Sequence, residues 1–144
     1  METGLSIYGN KFLYNSETVD DTPVKEAKLI GVYFSAHWCP PCRNFTPKLV
    51  EFYNKANEKE KVFEVIFVTS DRDETSFKEY FAEMPWLALD FNDPRRAEIK
   101  KLHNVSGIPT LVILKPNGSV LNVNARNDVA AQSSFANWLS KANE

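Results

Sequence analysis

Leu29-Ile30-Gly31-Val32-Tyr33-Phe34-Ser35-Ala36-His37-Trp38-Cys39-Pro40-Pro41-Cys42 is an apolar run that ends in two cysteines separated by two prolines. Leu29 to Ser35 is apolar nearly throughout, with little alternation. That is the pattern of a central strand covered on both faces. An amphipathic run from Asn44 to about Asn57 follows the second cysteine, with Phe45, Leu49, Phe52, Tyr53 and Ala56 at helical spacing. A strand therefore delivers two cysteines to the first turn of a helix. A thiol placed there faces the positive end of the helix dipole and becomes a thiolate easily.

The rest of the composition agrees with a small redox domain. The chain has 144 residues, enough for one domain over 1–144 with a substantial core. A net charge of −2 argues against nucleic acid or an anionic membrane as partner. Both cysteines lie in the one motif, so none is left for a structural disulfide, and the secreted, cystine-stapled class is excluded. No apolar run approaches the ~20 residues of a membrane span. Met1-Glu2-Thr3-Gly4 lacks the basic and apolar regions of a signal peptide. The expectation is a soluble monomer of a reducing compartment, cytosol or nucleus.

Outward from the motif, Leu5 to Tyr14 reads as a short strand or hairpin turning at Gly9-Asn10, and Asn15 to Lys28 as a polar loop with Val24 docked on the sheet. Pro47 lies inside the helix after the motif, where a kink is expected. Val62 to Thr69 is a second apolar strand, which completes a β-α-β unit. Asp71 and Glu74 resemble a capping box, and Phe77, Tyr80, Phe81 and Met84 form the apolar stripe of a second helix stopped by Pro85. Trp86 to Phe91 reads as a loop with a short strand, and Asp93-Pro94 opens a third helix to about His103. Thr110 to Leu114 is a strand, Pro116-Asn117-Gly118-Ser119 a turn, and Val120 to Asn124 its antiparallel return. Val129 to Ala142 is a closing helix that buries Phe135, Trp138 and Leu139. The class is α/β: a central mixed sheet with helices on both faces.

The motif carries a specific chemistry. With Cys39 as the helix N-cap, Pro40 and Pro41 occupy the first two helical positions. Pro40 also holds Cys39 in an extended conformation. Pro41 has no N–H, so the expected cap is a contact from the Cys42 amide to the Cys39 sulfur. Cys39 is then the exposed nucleophile and Cys42 the resolving thiol behind the first turn. Arg43 adds a positive charge nearby. Two other readings compete. Zinc could be held by Cys39, Cys42, His37 and His103, but the spacing is not that of a finger. Two inert buried cysteines are the other, which a Cys-x-x-Cys between a strand and a helix disfavours.

These residues resemble the thioredoxin superfamily, and Trp38-Cys39-Pro40-Pro41-Cys42-Arg43 is the form of its tryparedoxin and nucleoredoxin branch. Tyr33 to Trp38, Phe45-Thr46-Pro47, Ser70 to Glu74, Met84 to Ala88 and Gly107-Ile108-Pro109-Thr110 extend the likeness over residues 29–114. The resemblance implies a thioredoxin fold. It implies a cis Pro109 packed against the cysteine pair, with the Ile108 backbone presented to an extended substrate segment and Trp38 lining the substrate surface. Ordinary thioredoxins carry a buried acid six positions before the first cysteine. Tyr33 stands there instead, which leaves the proton acceptor for Cys42 unassigned. Asp71, Asp73 and Glu74 are candidates for a substitute carboxylate, though helix capping accounts for them more simply.

The function expected on these grounds is reduction of protein disulfides by a Cys39–Cys42 dithiol, with no cofactor beyond that pair and electrons from an unidentified thiol or reductase. Known dithiol proteins place its potential at roughly −270 to −200 mV. The alternative is a redox-sensing interaction module of nucleoredoxin type, which binds signalling partners according to the state of the pair.

Overall fold

The computed structural model describes residues 4–15 and 17–142. Among these residues the chain forms seven strands and five α-helices. The strands are β1 (Lys11–Tyr14), β2 (Glu17–Asp20), β3 (Leu29–Ser35), β4 (Phe63–Thr69), β5 (Leu87–Ala88), β6 (Thr110–Leu114) and β7 (Val120–Asn122). The helices are α1 (Thr22–Glu26), α2 (Pro40–Ala56), α3 (Glu74–Phe81), α4 (Arg95–Leu102) and α5 (Ser133–Ala142). All strands join one sheet in the order β2-β1-β5-β4-β3-β6-β7. β3 runs parallel to β4 with Leu29 opposite Phe63 and Ser35 opposite Thr69, and antiparallel to β6. The sheet is therefore mixed, with β3 near its centre.

β3 is buried at every position because both faces are covered. Leu29 and Tyr33 face one apolar layer, with Phe45, Leu49 and Phe52 of α2, Phe77 and Tyr80 of α3, and Trp138 of α5. Ile30, Val32 and Phe34 face the other, with Tyr8, Phe12, Val24 of α1 and Ile99 of α4. The apolar run thus lacks alternation for a physical reason: neither face meets water. β4 has the same two-sided burial, but it includes Glu64. That carboxylate is held by Lys61 Nζ at 2.7 Å and by the Tyr53 hydroxyl at 3.2 Å.

Several elements depart from expectation. Gly4–Tyr8 is a 3-10 turn, not a strand; the turn at Gly9, with φ +97°, leads into β1. The stretch expected as a loop holds β2 and α1. β2 is an edge strand with no buried residue, and its register with β1, not its own hydrophobicity, makes it a strand. Val24 is buried, as expected. α3 ends at Phe81, before Pro85, and its N-cap is Asp73, whose side chain accepts from the Ser76 N–H at 2.8 Å. Asp71 is not part of the cap. The return strand β7 is shorter than expected. A 3-10 turn over Asn127–Ala130 precedes α5, so the closing helix begins at Ser133. Ala56 and Leu139 are half-buried, not core. Among the described residues no helix is long and apolar enough to cross a membrane.

Candidate active site

The site forms where β3 ends and α2 begins. Cys39 is the N-cap residue of α2, with φ −97° and ψ 110°, the extended geometry that a following proline imposes. Pro40 and Pro41 open the helix where missing N–H groups cost nothing, because the first four amides of a helix have no internal acceptor. The Arg43 N–H closes the first helical bond on the Cys39 carbonyl at 3.1 Å. Pro47 lies inside α2.

The expected contact from the Cys42 amide to the Cys39 sulfur is not made. Cys39 Sγ points across to the Ile108 carbonyl, 3.9 Å away. The Ile108–Pro109 peptide is cis, and Pro109 is buried. Ile108 packs against the cluster of Ala36, Cys39 and Cys42. Four elements of the expected site, Cys39, Cys42, Ile108 and Pro109, thus meet at one edge of the sheet.

Both thiols are free; Cys42 is shielded as expected, and Cys39 is more enclosed than expected. Cys39 is 5% exposed and Cys42 fully buried. The asymmetry has the expected direction, but Cys39 is itself nearly buried. Burial pushes the Cys42 thiol up to about 11, with the hydrogen bond it shares with Cys39 adding to this and the Ser35 hydroxyl opposing it. At neutral pH Cys42 is a protonated thiol.

The segment before the cysteines is tied to the end of β4. The His37 N–H donates to Asp71 Oδ1 at 2.8 Å, and the Thr69 hydroxyl donates to Asp71 Oδ2 at 2.7 Å. Trp38 Nε1 donates to the Ser70 carbonyl at 3.2 Å. Trp38 remains 51% exposed, with the Arg72 guanidinium 5.3 Å from its ring. An aromatic face thus stands in solvent beside the opening to Cys39. Pro40, Pro41 and Arg43 are exposed on the same end of α2. The other tryptophans lie in the core.

The structure does not bring together the four residues of the zinc reading. His103 is the C-cap of α4, with Nε2 2.7 Å from the Tyr8 hydroxyl. Burial lowers its pKa, which disfavours the charged ring beside Tyr8. Among the described residues no three His, Cys, Asp or Glu side chains converge as metal ligands. Asp71, Asp73 and Glu74 do not supply the missing acid either: Asp71 holds His37 and Thr69, Asp73 caps α3, and Glu74 pairs with Lys78.

What reading the sequence missed is a set of buried hydroxyls. Tyr33 and Thr46 lie 2.7 Å apart, Thr46 and Tyr80 2.5 Å, and Tyr80 and Ser35 2.6 Å. Thr46 Oγ1 also donates to the Cys42 carbonyl at 3.0 Å. The one signal in the sequence was polar atoms at apolar-stripe positions: Ser35 at the end of β3, Thr46 beside Phe45, Tyr80 between Phe77 and Phe81.

Comparison with known proteins agrees with this geometry. Residues 26–120 match the thioredoxin-like family model Thioredoxin_8. The chain is 54% identical to probable nucleoredoxin 1 of Arabidopsis thaliana over 109 residues, 76% of this chain and 19% of that protein. It is 48% identical to human nucleoredoxin over 116 residues, 80% of this chain and 26% of that one. It therefore spans about a fifth to a quarter of the length of these two relatives. Among solved structures, native tryparedoxin I from Crithidia fasciculata superposes with a TM-score of 0.82 at 41% identity, covering 89% of this chain and 91% of that one. The chain belongs to the thioredoxin-like family, and it is related to the nucleoredoxins and tryparedoxins.

Proposed function

We propose that this chain reduces protein disulfides, with Cys39 as nucleophile and Cys42 as resolving thiol. One observation carries the assignment of roles. Cys39 keeps an opening to solvent at the helix N-terminus, where the dipole favours negative charge, while Cys42 is sealed and protonated. The Cys39 thiolate attacks a substrate disulfide, and one substrate sulfur leaves as a thiolate that takes up a proton. The Cys42 sulfur then attacks Cys39 Sγ. The second substrate sulfur leaves, the Cys42 proton passes to it, and Cys39–Cys42 remains oxidised. Two electrons have moved from the pair to the substrate. No bound cofactor is required, since the pair itself carries the electrons. A low-molecular-weight thiol or a reductase returns it to the dithiol, as a reducing compartment such as cytosol or nucleus allows.

Trp38, Ile108 and the cis Pro109 form the substrate face in this reading. The Ile108 carbonyl, already turned toward Cys39 Sγ, is placed to accept a backbone N–H from an extended substrate segment. Pro40, Pro41 and Arg43 frame the opening. The test is insulin-disulfide reduction with dithiothreitol as donor. Cys39→Ser is expected to fall to the uncatalysed rate. Cys42→Ser is expected to stop at a trapped mixed disulfide visible by mass. An unchanged rate in Cys39→Ser overturns the assignment of the nucleophile.

A further inference from the structure

The segment entering the motif is held by one loop. Ser70, Asp71 and Arg72 follow β4, and each touches His37 or Trp38. The Ser70 carbonyl accepts from Trp38 Nε1 at 3.2 Å, and the Asp71 carboxylate accepts from the His37 N–H at 2.8 Å. The Arg72 guanidinium lies over the Trp38 ring, 5.3 Å from its centroid. The indole is thus fixed along its polar edge and attended on one face by a cation, yet it stays 51% exposed. The other tryptophans gain their stability from burial, at 0% and 3% exposure. A tryptophan held in place but left in solvent is a contact surface.

Arg72 is exposed and has no ionic partner. The carboxylates next to it in sequence are all engaged: Asp71 with His37 and Thr69, Asp73 as the cap of α3, Glu74 with Lys78. Among the described residues none forms an ion pair with Arg72. Arg43, on the first turn of α2, is likewise exposed and unpaired. A chain of net charge −2 therefore carries two unpaired guanidinium groups beside its cysteine motif. The attraction of Arg72 to the ring uses its charge and leaves its N–H groups free for a carboxylate, which can take two of them side by side.

The geometry points to Arg72 as a specificity-determining residue: with Trp38 it forms a platform for disulfide-bearing segments that carry an aspartate or glutamate beside the attacked cysteine. This rests on the oxidoreductase reading and names its substrate class. Trp38 directly precedes Cys39, so a segment whose sulfur reaches Cys39 brings its neighbouring residues to the indole. An acidic side chain there meets Arg72, and a lysine in the same place meets a like charge. Arg72 takes no part in the sulfur exchange; its charge acts on capture of the substrate, before the mixed disulfide forms.

The test mixes the reduced chain with three peptide disulfides that differ only in the residue beside the cysteine: glutamate, glutamine or lysine. Acid quenching and mass measurement give the rate at which the reduced chain is consumed. Each rate is divided by that of dithiothreitol with the same peptide, which removes the peptide's own reactivity. The glutamate peptide is expected to react about fivefold faster than the lysine peptide, with the glutamine peptide between them, and the ratio is expected to shrink at high salt. Arg72→Ala is expected to bring the ratio within about twofold, and Arg72→Glu to reverse the order. A purely structural role would slow all three peptides together and keep their order. Equal rates for the three peptides in the wild type, or an unchanged order in Arg72→Glu, overturns the proposal while the oxidoreductase reading stands. A wild type that reduces none of the three overturns both.

Discussion

The His37 backbone N–H donates to the buried Asp71 carboxylate at 2.8 Å, which joins the segment entering the cysteine motif to the end of the neighbouring strand β4. The same carboxylate accepts from the Thr69 hydroxyl at 2.7 Å, and Arg96 holds the Thr69 carbonyl at 2.9 Å. Trp38 and Cys39 follow directly on this anchor. Asp71→Ala would leave one buried and one part-buried donor without an acceptor, at about 1–3 kcal/mol for the buried one and less for the other. The expected loss is about 2–4 kcal/mol in urea unfolding, and Asp71→Asn, which keeps one acceptor oxygen, should lose less. Equal losses in the two variants would mean that shape, not hydrogen bonding, holds the loop.

Cys42 makes the reduced protein sensitive to alkali. Its thiol lies at about 11 in the folded state against an ordinary 9.0, so the native state binds the proton more tightly than the unfolded chain does. Below about pH 9 both states are protonated and stability is unaffected by this group. From about 9 to 11 the unfolded chain ionises first, and stability falls as pH rises. Chemical unfolding in reductant across this window is expected to give a shallower slope for Cys42→Ala than for the wild type.

His103 gives a second window on the acid side. Burial lowers its pKa below 6.5, so the unfolded chain takes up a proton first as pH falls. The contribution is intact above about 6.5 and is lost as pH drops through the folded value. NMR titration is expected to place the His103 ring below 6.5. The Tyr8→Phe variant, which removes the partner 2.7 Å from Nε2, is expected to alter that curve. A ring titrating above 6.5 would mean that burial does not govern its protonation.

Gly31 and Gly107 separate packing from backbone effects. A Cβ at Gly31 would stand 3.2 Å from Leu111 Cδ1 and 3.2 Å from Phe63 Cζ. All three residues are in the centre of the sheet, where neighbours give little. Gly31→Ala is expected to cost about 1–3 kcal/mol by thermal or urea unfolding. Gly107 has nothing within 4 Å of the same added atom. Gly107→Ala is expected to stay within about 0.5 kcal/mol of the wild type.

Much of the fold was legible because burial writes a periodic signal into sequence. Leu29–Ser35 and Phe63–Thr69 are strands in the positions their apolar runs indicated, and Phe45, Leu49, Phe52 and Tyr53 all face the core from α2. β2 was not legible because an edge strand with no fully buried residue shows no clear hydrophobic period. Its evidence is the ladder to β1, which exists only after folding. Asp71 and Asp73 look alike two residues apart, and only the fold assigns one to His37 and the other to the start of α3.

The cysteine pair, the strand before it and the helix after it follow from local sequence, because they are four residues of motif and two adjacent elements, and the dithiol chemistry proposed above rests on them. Tertiary structure decided where the Cys39 sulfur points, toward a carbonyl 69 residues away and not toward the neighbouring amide. It also brought the Ser35, Thr46 and Tyr80 hydroxyls together from three elements. The physical reason is the same in both cases. A buried polar atom takes its partner from whatever the packed fold brings within about 3 Å, and sequence distance has no part in that choice.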